Sequence, residues 1–216
     1  MTDRWQACRR SAAALVAGWK VARLAASMGG DPAMATAVAV LDMLDDFITG
    51  KLANPASEKI VESIAALIEM ARNRDGWLVV YSNDAHQPGD LELAAFGEHA
   101  MAGTPGAQVA QALAPHDGDI VVPKRFYSAF TETDLEATCR VQNIDRLVLT
   151  GQHTECCCRH TSYDAFMRGI DLVAVADATA AYEPLAGASY GETQNRALAY
   201  LRTYYCADVT DTSALV

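Results

Sequence analysis

The sequence has no surplus of basic side chains: 17 Lys and Arg stand against 27 Asp and Glu, a net charge of −10. Nucleic acid and anionic membrane surfaces both require clustered cations, so neither is expected as a partner. Long apolar runs are missing as well. The stretch closest to a leader, Ala12 to Gly18 behind Arg9-Arg10, is followed by Lys20 and Arg23 and is too short to span a bilayer. The six cysteines fall at irregular spacing, three of them contiguous, which argues against a secreted disulfide framework and for a reducing cytoplasm. Internal repeats and low-complexity linkers are also lacking. What is left is a chain of 216 residues, 51% of them apolar, able to bury a full core, and small-molecule chemistry is the expected class of function.

Trp5 to Met28 reads as an amphipathic helix ended by Gly29-Gly30, with Leu15, Trp19 and Leu24 as its apolar contacts. Residues 1–33 are therefore taken as a helical extension, able to serve as a packing or dimer arm in a homo-oligomer, and residues 34–216 as one α/β domain. In that domain strands and helices alternate. Thr36 to Leu41, Trp77 to Tyr81, Asp119 to Val122, Arg146 to Thr150, Leu172 to Ala176 and a last run around Tyr205 to Val209 have the length and composition of strands. Between them, Ile60, Val61, Ile64, Leu67 and Ile68 keep helical spacing behind a Ser57 cap, and a short helix is expected from Thr104-Pro105-Gly106 to Leu113. Further helices are expected behind a Thr133/Glu136 capping box, from Cys157 to Arg168, and from Glu192 to Leu201. Such alternation implies parallel pairing, right-handed crossovers and a three-layer α/β/α sandwich, Rossmann-like, around a mainly parallel six-stranded sheet.

The apolar run Leu147 to Thr150 ends at Gly151, and Cys156-Cys157-Cys158 then open the following helix. A thiol at a helix N-terminus is a candidate nucleophile, because the dipole and the unpaired N–H groups favour thiolate. Each of the three can equally be a packing residue, whereas zinc ligation is disfavoured for want of the two-residue spacer of structural sites. Asp42, Asp84, Lys124 and Cys157 each stand at or just past the C-terminal end of a different strand, the edge where open parallel sheets bind ligands. Together they support acyl transfer. Cys157 attacks a carbonyl, Asp42 takes the thiol proton and returns it to the leaving amine, and Lys124 holds and tunes the pair. The backbone N–H groups of His153 and Cys157 are candidates to receive the oxyanion. Asp84, His86, Glu92 and His99 form a second cluster, whose mixed N/O donors suit Zn²⁺, Fe²⁺ or Mn²⁺; read singly, they are loop polar residues. His116 reads as exposed, and His160 as a surface or supporting histidine.

From Ala37 to Val209 the chain resembles the cysteine hydrolases of the isochorismatase-like superfamily, the nicotinamidases in particular. Val40 to Phe47 is similar to their first-strand Asp motif, Val122-Pro123-Lys124 with Tyr127 to Phe130 to their Lys motif, and Gly151 to Thr161 with Asp164-Ala165 to their nucleophile motif. The resemblance selects among the thiols. Gly151, Thr154, Cys157 and Thr161 keep the family spacing, which implies Cys157 as nucleophile, packing roles for Cys156 and Cys158, and a cis peptide between Gln152 and His153. It implies further that the Asp84, His86, Glu92 and His99 set holds a divalent ion, zinc foremost, anchoring a substrate ring nitrogen and a water. The implied reaction is hydrolysis of a carboxamide C–N bond through a cysteine thioester, nicotinamide to nicotinate and ammonia being the first expectation.

Leu44 stands where nicotinamidases carry Gln, and Phe96-Gly97 where they carry Trp-Pro. Phe47 and Phe96 are the aromatics left to sandwich a flat ring. The segment from Asp84 to His99 is also short for a nicotinamidase. A more open pocket for another small amide, of ureido, carbamoyl or lactam type, is the alternative, and a non-catalytic binding member of the fold is a third reading.

Overall fold

The computed structural model describes residues 34–182 and 188–216; the helix expected over Trp5 to Met28, and the extension 1–33 as a whole, lie outside the described residues. Strands β1 (Ala35–Leu41), β2 (Trp77–Ser82), β3 (Ile120–Val121), β4 (Ile144–Gln152), β5 (Asp171–Ala180) and β6 (Asp208–Thr210) form one sheet in the order β3-β2-β1-β4-β5-β6. Every pairing is parallel. The chain winds outward from β1 to β3, returns to β4 beside β1, and winds outward the other way. A crevice opens at such a switch point, outside the C-terminal ends of β1 and β4.

Helices α1 (Asp45–Ile48), α2 (Pro55–Arg72), α3 (Leu93–Phe96), α4 (Leu135–Val141), α5 (Cys157–Met167) and α6 (Tyr190–Tyr205) connect the strands. The alternation along β1 sorts them into layers. Ala37, Ala39 and Leu41 pack with Leu135 of α4, Ala165 of α5 and Leu198 of α6, while Val38 and Val40 pack with Ile60, Ile64 and Leu67 of α2. Small alanines on one face and branched valines on the other let helices close on both sides of a fully buried strand. Among the described residues no helix is long and apolar enough to cross a membrane.

Three local expectations change. Helix α2 is capped by Asn54, whose side chain accepts from Ala56 N, and Pro55 occupies its first turn; Ser57 lies inside the helix, buried, with its hydroxyl on Gln152 Oε1. Thr133 closes no box with Glu136: Asp134, not Thr133, stands at the start of α4, and the Thr133 hydroxyl donates to Ala129 O and accepts from Leu135 N at 3.2 Å; the reciprocal box forms instead between Ser189 and Glu192 at the start of α6. The helix expected up to Leu113 is two single 3-10 turns, Pro105–Ala107 and Gln111–Leu113. Residues 108–110 between them are drawn out by pairing with the chain after β1, Asp45 N on Gln108 O and Ala110 N on Met43 O.

Candidate active site

The rim of the crevice begins at Asp42, whose φ of 53° turns the chain at the end of β1. Its N–H donates to Asn83 Oδ1 at 2.8 Å, and its Oδ1 accepts from Asp84 N at 2.9 Å. The loops after β1 and β2 are thereby stitched together. Lys124 arrives after β3, its N–H bonded to Asn83 O at 2.9 Å. Its buried ammonium lies 2.8 Å from Asp42 Oδ2, pairs with Asp84 Oδ1 as well, and stands 3.8 Å from Cys157 Sγ. The structure thus brings Asp42, Lys124 and Cys157 into one contact group.

The loop that delivers Cys157 is held on several sides. Gly151 has φ 101°, and a Cβ there would lie 2.0 Å from Leu41 O, so only glycine lets β4 run this close to β1. The Gln152–His153 peptide is cis. Thr154 bonds through its N–H to Ala180 O at 3.0 Å and through its hydroxyl to Gln194 Oε1 at 2.8 Å. Thr161 accepts from Ala129 N at 3.0 Å, and the Ser128 hydroxyl donates to Asp164 at 2.6 Å. The motif residues that do no chemistry therefore tie the start of α5 to β5, α6 and the Lys124 loop.

Burial pushes the Asp42 carboxyl up to about 7, helped by the charge of Asp84 and opposed by Lys124. Burial lowers the Lys124 pKa, but Asp42 and Asp84 outweigh burial, raise the ammonium well above the usual lysine range and keep it protonated. The Cys157 thiol is pushed well above its ordinary range, first by its hydrogen bond with Cys156 and then by burial. The helix start therefore does not supply a resting thiolate there: roughly half a charge from the dipole loses to the hydrogen bond with Cys156 and to the removal of water. The lowered thiol is Cys156, brought to about 6 by the hydrogen bond to Cys157, with His160 assisting. Cys156 is half-buried and lines the cavity, against the packing role expected for it; Cys158 does pack in the core. A neutral Cys157 thiol hydrogen-bonded to a carboxyl whose pKa lies at about 7 is an arrangement suited to acid–base chemistry.

Asp84, His86, Glu92 and His99 are all buried, and each offers a donor atom within 4.8 Å of the others. His86 Nδ1 lies 3.1 Å from Asp90 Oδ2, and Arg125 ion-pairs with Asp90, holding its carboxyl well below the usual range. His99 Nδ1 lies 2.8 Å from Gly97 O. Both partners can only accept, so both rings carry a proton on Nδ1 and present Nε2. His86 Nε2 stands 3.6 Å from Asp84 Oδ2 and 3.7 Å from Glu92 Oε2, and it and Glu92 Oε1 are buried without a hydrogen-bond partner. Burial and the charge of Asp84 push Glu92 up to about 8, a penalty that a cation would relieve. Two imidazoles and two carboxylates with orphaned donors fit one divalent ion.

Both groups open on one cavity of about 190 Å³. Phe47 lines it, with its ring 5.5 Å from His99 and 5.7 Å from His153, and Phe96 lines it 6.1 Å from His99, 43% exposed. Sequence reasoning missed Tyr127, Gln152, the His153 ring, Glu155 and Tyr182, which also line the cavity. Gln152 donates to Asp42 O at 2.9 Å; its place beside Gly151 is the only signal it gives. No local pattern marks Tyr182, which reaches His153 only because β5 pairs beside β4. His116 and His160 are exposed, as expected, with His160 Nδ1 on Cys156 O.

Comparison with known proteins gives the following. A model described as the isochorismatase domain matches residues 36–214. The maleamate amidohydrolase of Pseudomonas putida is 30% identical over 148 residues, which cover 64% of this chain and 69% of that one. The crystal structure of N-carbamoylsarcosine amidase from Thermoplasma acidophilum is similar with a TM-score of 0.75 and 36% identity, over 83% of this chain and 97% of its own. The pyrazinamidase/nicotinamidase of Streptococcus mutans gives a TM-score of 0.73 and 29% identity, over 81% and 99% of the two chains.

Proposed function

The chain belongs to the isochorismatase family, and from that membership we propose that it is a cysteine amidohydrolase cleaving the C–N bond of a small carboxamide, nicotinamide before others. The observation that carries the reading is the ammonium of Lys124, paired with both Asp42 and Asp84: the acid–base pair and the candidate metal ligands share one cavity and one charge. Asp42 takes the Cys157 proton as the sulfur attacks the amide carbon, and the N–H groups of His153 and Cys157 receive the oxyanion. Asp42 returns the proton to the departing nitrogen, the C–N bond breaks, and ammonia leaves a thioester on Cys157. Water then adds to the thioester with Asp42 again taking the proton, the C–S bond breaks, the thiol is restored and the carboxylic acid departs. Lys124 stays protonated and orients Asp42.

Asp84, His86, Glu92 and His99 would hold the divalent ion, zinc by the chemistry of the donors, with iron or manganese as alternatives. When bound, it supplies a Lewis-acid anchor for a ring nitrogen. Phe47 and Phe96 offer faces to a flat ring. A second reading, another small amide of ureido or carbamoyl type, is favoured by Leu44 and Phe96-Gly97 and by relatives named for maleamate and N-carbamoylsarcosine.

The test is ammonia release from nicotinamide. Loss of activity on chelation, return with Zn²⁺ or Fe²⁺ and abolition in Cys157→Ala support the first reading. Release from other amides with none from nicotinamide moves the substrate to the second. Turnover that survives in Cys157→Ala overturns both.

A further inference from the structure

Among the described residues, the cavity is lined by Asp42, Asp84, Glu92 and Glu155 and by no lysine or arginine. Nearby cations are engaged elsewhere. Lys124 is taken up by Asp42 and Asp84, Arg125 by Asp90, and Arg159 lies over the Tyr200 ring at 3.9 Å. A substrate carboxylate would meet acidic side chains without a cation among the described residues to pair with.

Two of the lining side chains that the mechanism does not use carry polar atoms without partners. His153 Nε2 and Glu155 Oε2 are buried and have no hydrogen-bond partner. Both side chains are fixed where they stand. Glu155 Oε1 accepts from Tyr182 N at 3.0 Å, and the His153 ring packs on Tyr182 at 4.7 Å and edge-on to Phe47 at 5.7 Å. Buried polar atoms without partners are uncommon and unfavourable, and next to a ligand cavity they are relieved by a ligand that supplies the missing bond.

We propose that Glu155 and the His153 ring form a recognition subsite for an uncharged, hydrogen-bond-donating group of the substrate, and that Glu155 bars amides bearing a carboxylate there. The inference rests on the amidohydrolase reading and narrows its substrate class. Burial brings His153 down to about 4, so its ring adds no positive charge. Burial also raises the Glu155 carboxyl. A second carboxylate beside it must either repel it or compete with it for a single proton, whereas a carboxamide or ureido N–H meets an open acceptor. Sites with buried hydrogen-bonding groups reject substrates that leave those groups unpaired. Maleamate, for which one relative is named, is thus a poor substrate for this chain.

A matched pair tests this: maleamate, and maleamide, in which the carboxylate is exchanged for a second carboxamide. With the full chain and Zn²⁺ at pH 8, kcat/KM for maleamide is expected to exceed that for maleamate by about 100-fold, the scale of one like-charge contact in a partly screened site. The reaction then halts after a single ammonia, because its product is maleamate. Glu155→Gln keeps an acceptor for Tyr182 N and is expected to narrow the ratio about tenfold by raising turnover of maleamate. Calorimetric binding of each compound to Cys157→Ala is the second measurement. Preferential binding of maleamide to Cys157→Ala, with no ammonia released by the wild type from maleamide, maleamate or nicotinamide, would overturn the hydrolase reading and leave the subsite standing. Equal kcat/KM for the pair, a ratio unmoved in Glu155→Gln, or equal or absent binding to Cys157→Ala would overturn the subsite.

Discussion

Lys124 Nζ lies 2.8 Å from Asp42 Oδ2 with both side chains withdrawn from solvent. Removing the ammonium would leave Asp42 and Asp84 as unpaired buried acids. Lys124→Met is expected to destabilise the fold by about 3–5 kcal/mol, read from denaturant midpoints, and to slow ammonia release by about 10²–10⁴-fold. An unchanged midpoint would mean that the carboxylates find another partner.

The two neighbouring thiols differ in ionisation. Cys156 sits near 6 while Cys157 is held protonated, so iodoacetamide at neutral pH is expected to label Cys156 first. The labelling rate should rise as pH climbs through about 6 and level off above it, because only the thiolate reacts. Peptide mass spectrometry across a pH series reads this directly, and a first label on Cys157 contradicts it.

Asp90 orients His86 through Nδ1 at 3.1 Å. Asp90→Ala is expected to weaken Zn²⁺ affinity about 10–100-fold, measured by competition with a chromophoric chelator. Affinity should also fall with pH in both proteins, since protons and metal compete for the imidazoles. Equal affinity in variant and parent would make the Asp90 contact incidental.

Gly151→Ala asks a Cβ to enter the Leu41 carbonyl at 2.0 Å from a left-handed backbone. A loss of at least about 3 kcal/mol is expected, visible as a lower urea midpoint. A variant as stable as the parent would show that β1 and β4 can separate there without penalty.

The sheet was legible because parallel strands buried on both faces appear as apolar runs, and the chemistry lies where those runs stop. Asp42, Lys124 and Cys157 meet as expected, as do Asp84, His86, Glu92 and His99, and both Phe47 and Phe96 reach the cavity. What was hidden depends on distant partners. Residues 108–110 are extended because of Met43 and Asp45, and Ser57 is buried because Gln152 needs its hydroxyl. Nothing in three identical letters tells which thiol keeps its proton; that is decided first by the hydrogen bond between Cys156 and Cys157 and then by how deeply each is buried. Tyr182 comes to the cavity only through the neighbouring strand, and Glu155, although it lies in the loop before Cys157, is held there by the Tyr182 N–H.

The stitch between the first two strand ends has a directional consequence. Asp42 Oδ1 is committed to the Asp84 N–H, so a flip of the carboxylate would break a main-chain hydrogen bond. Under the proposed mechanism, Oδ2 alone remains to meet Lys124 and to ferry the proton between sulfur and nitrogen. The Asp42 carboxylate would then be a one-handed shuttle, with the backbone beyond β2 dictating the side from which ammonia departs.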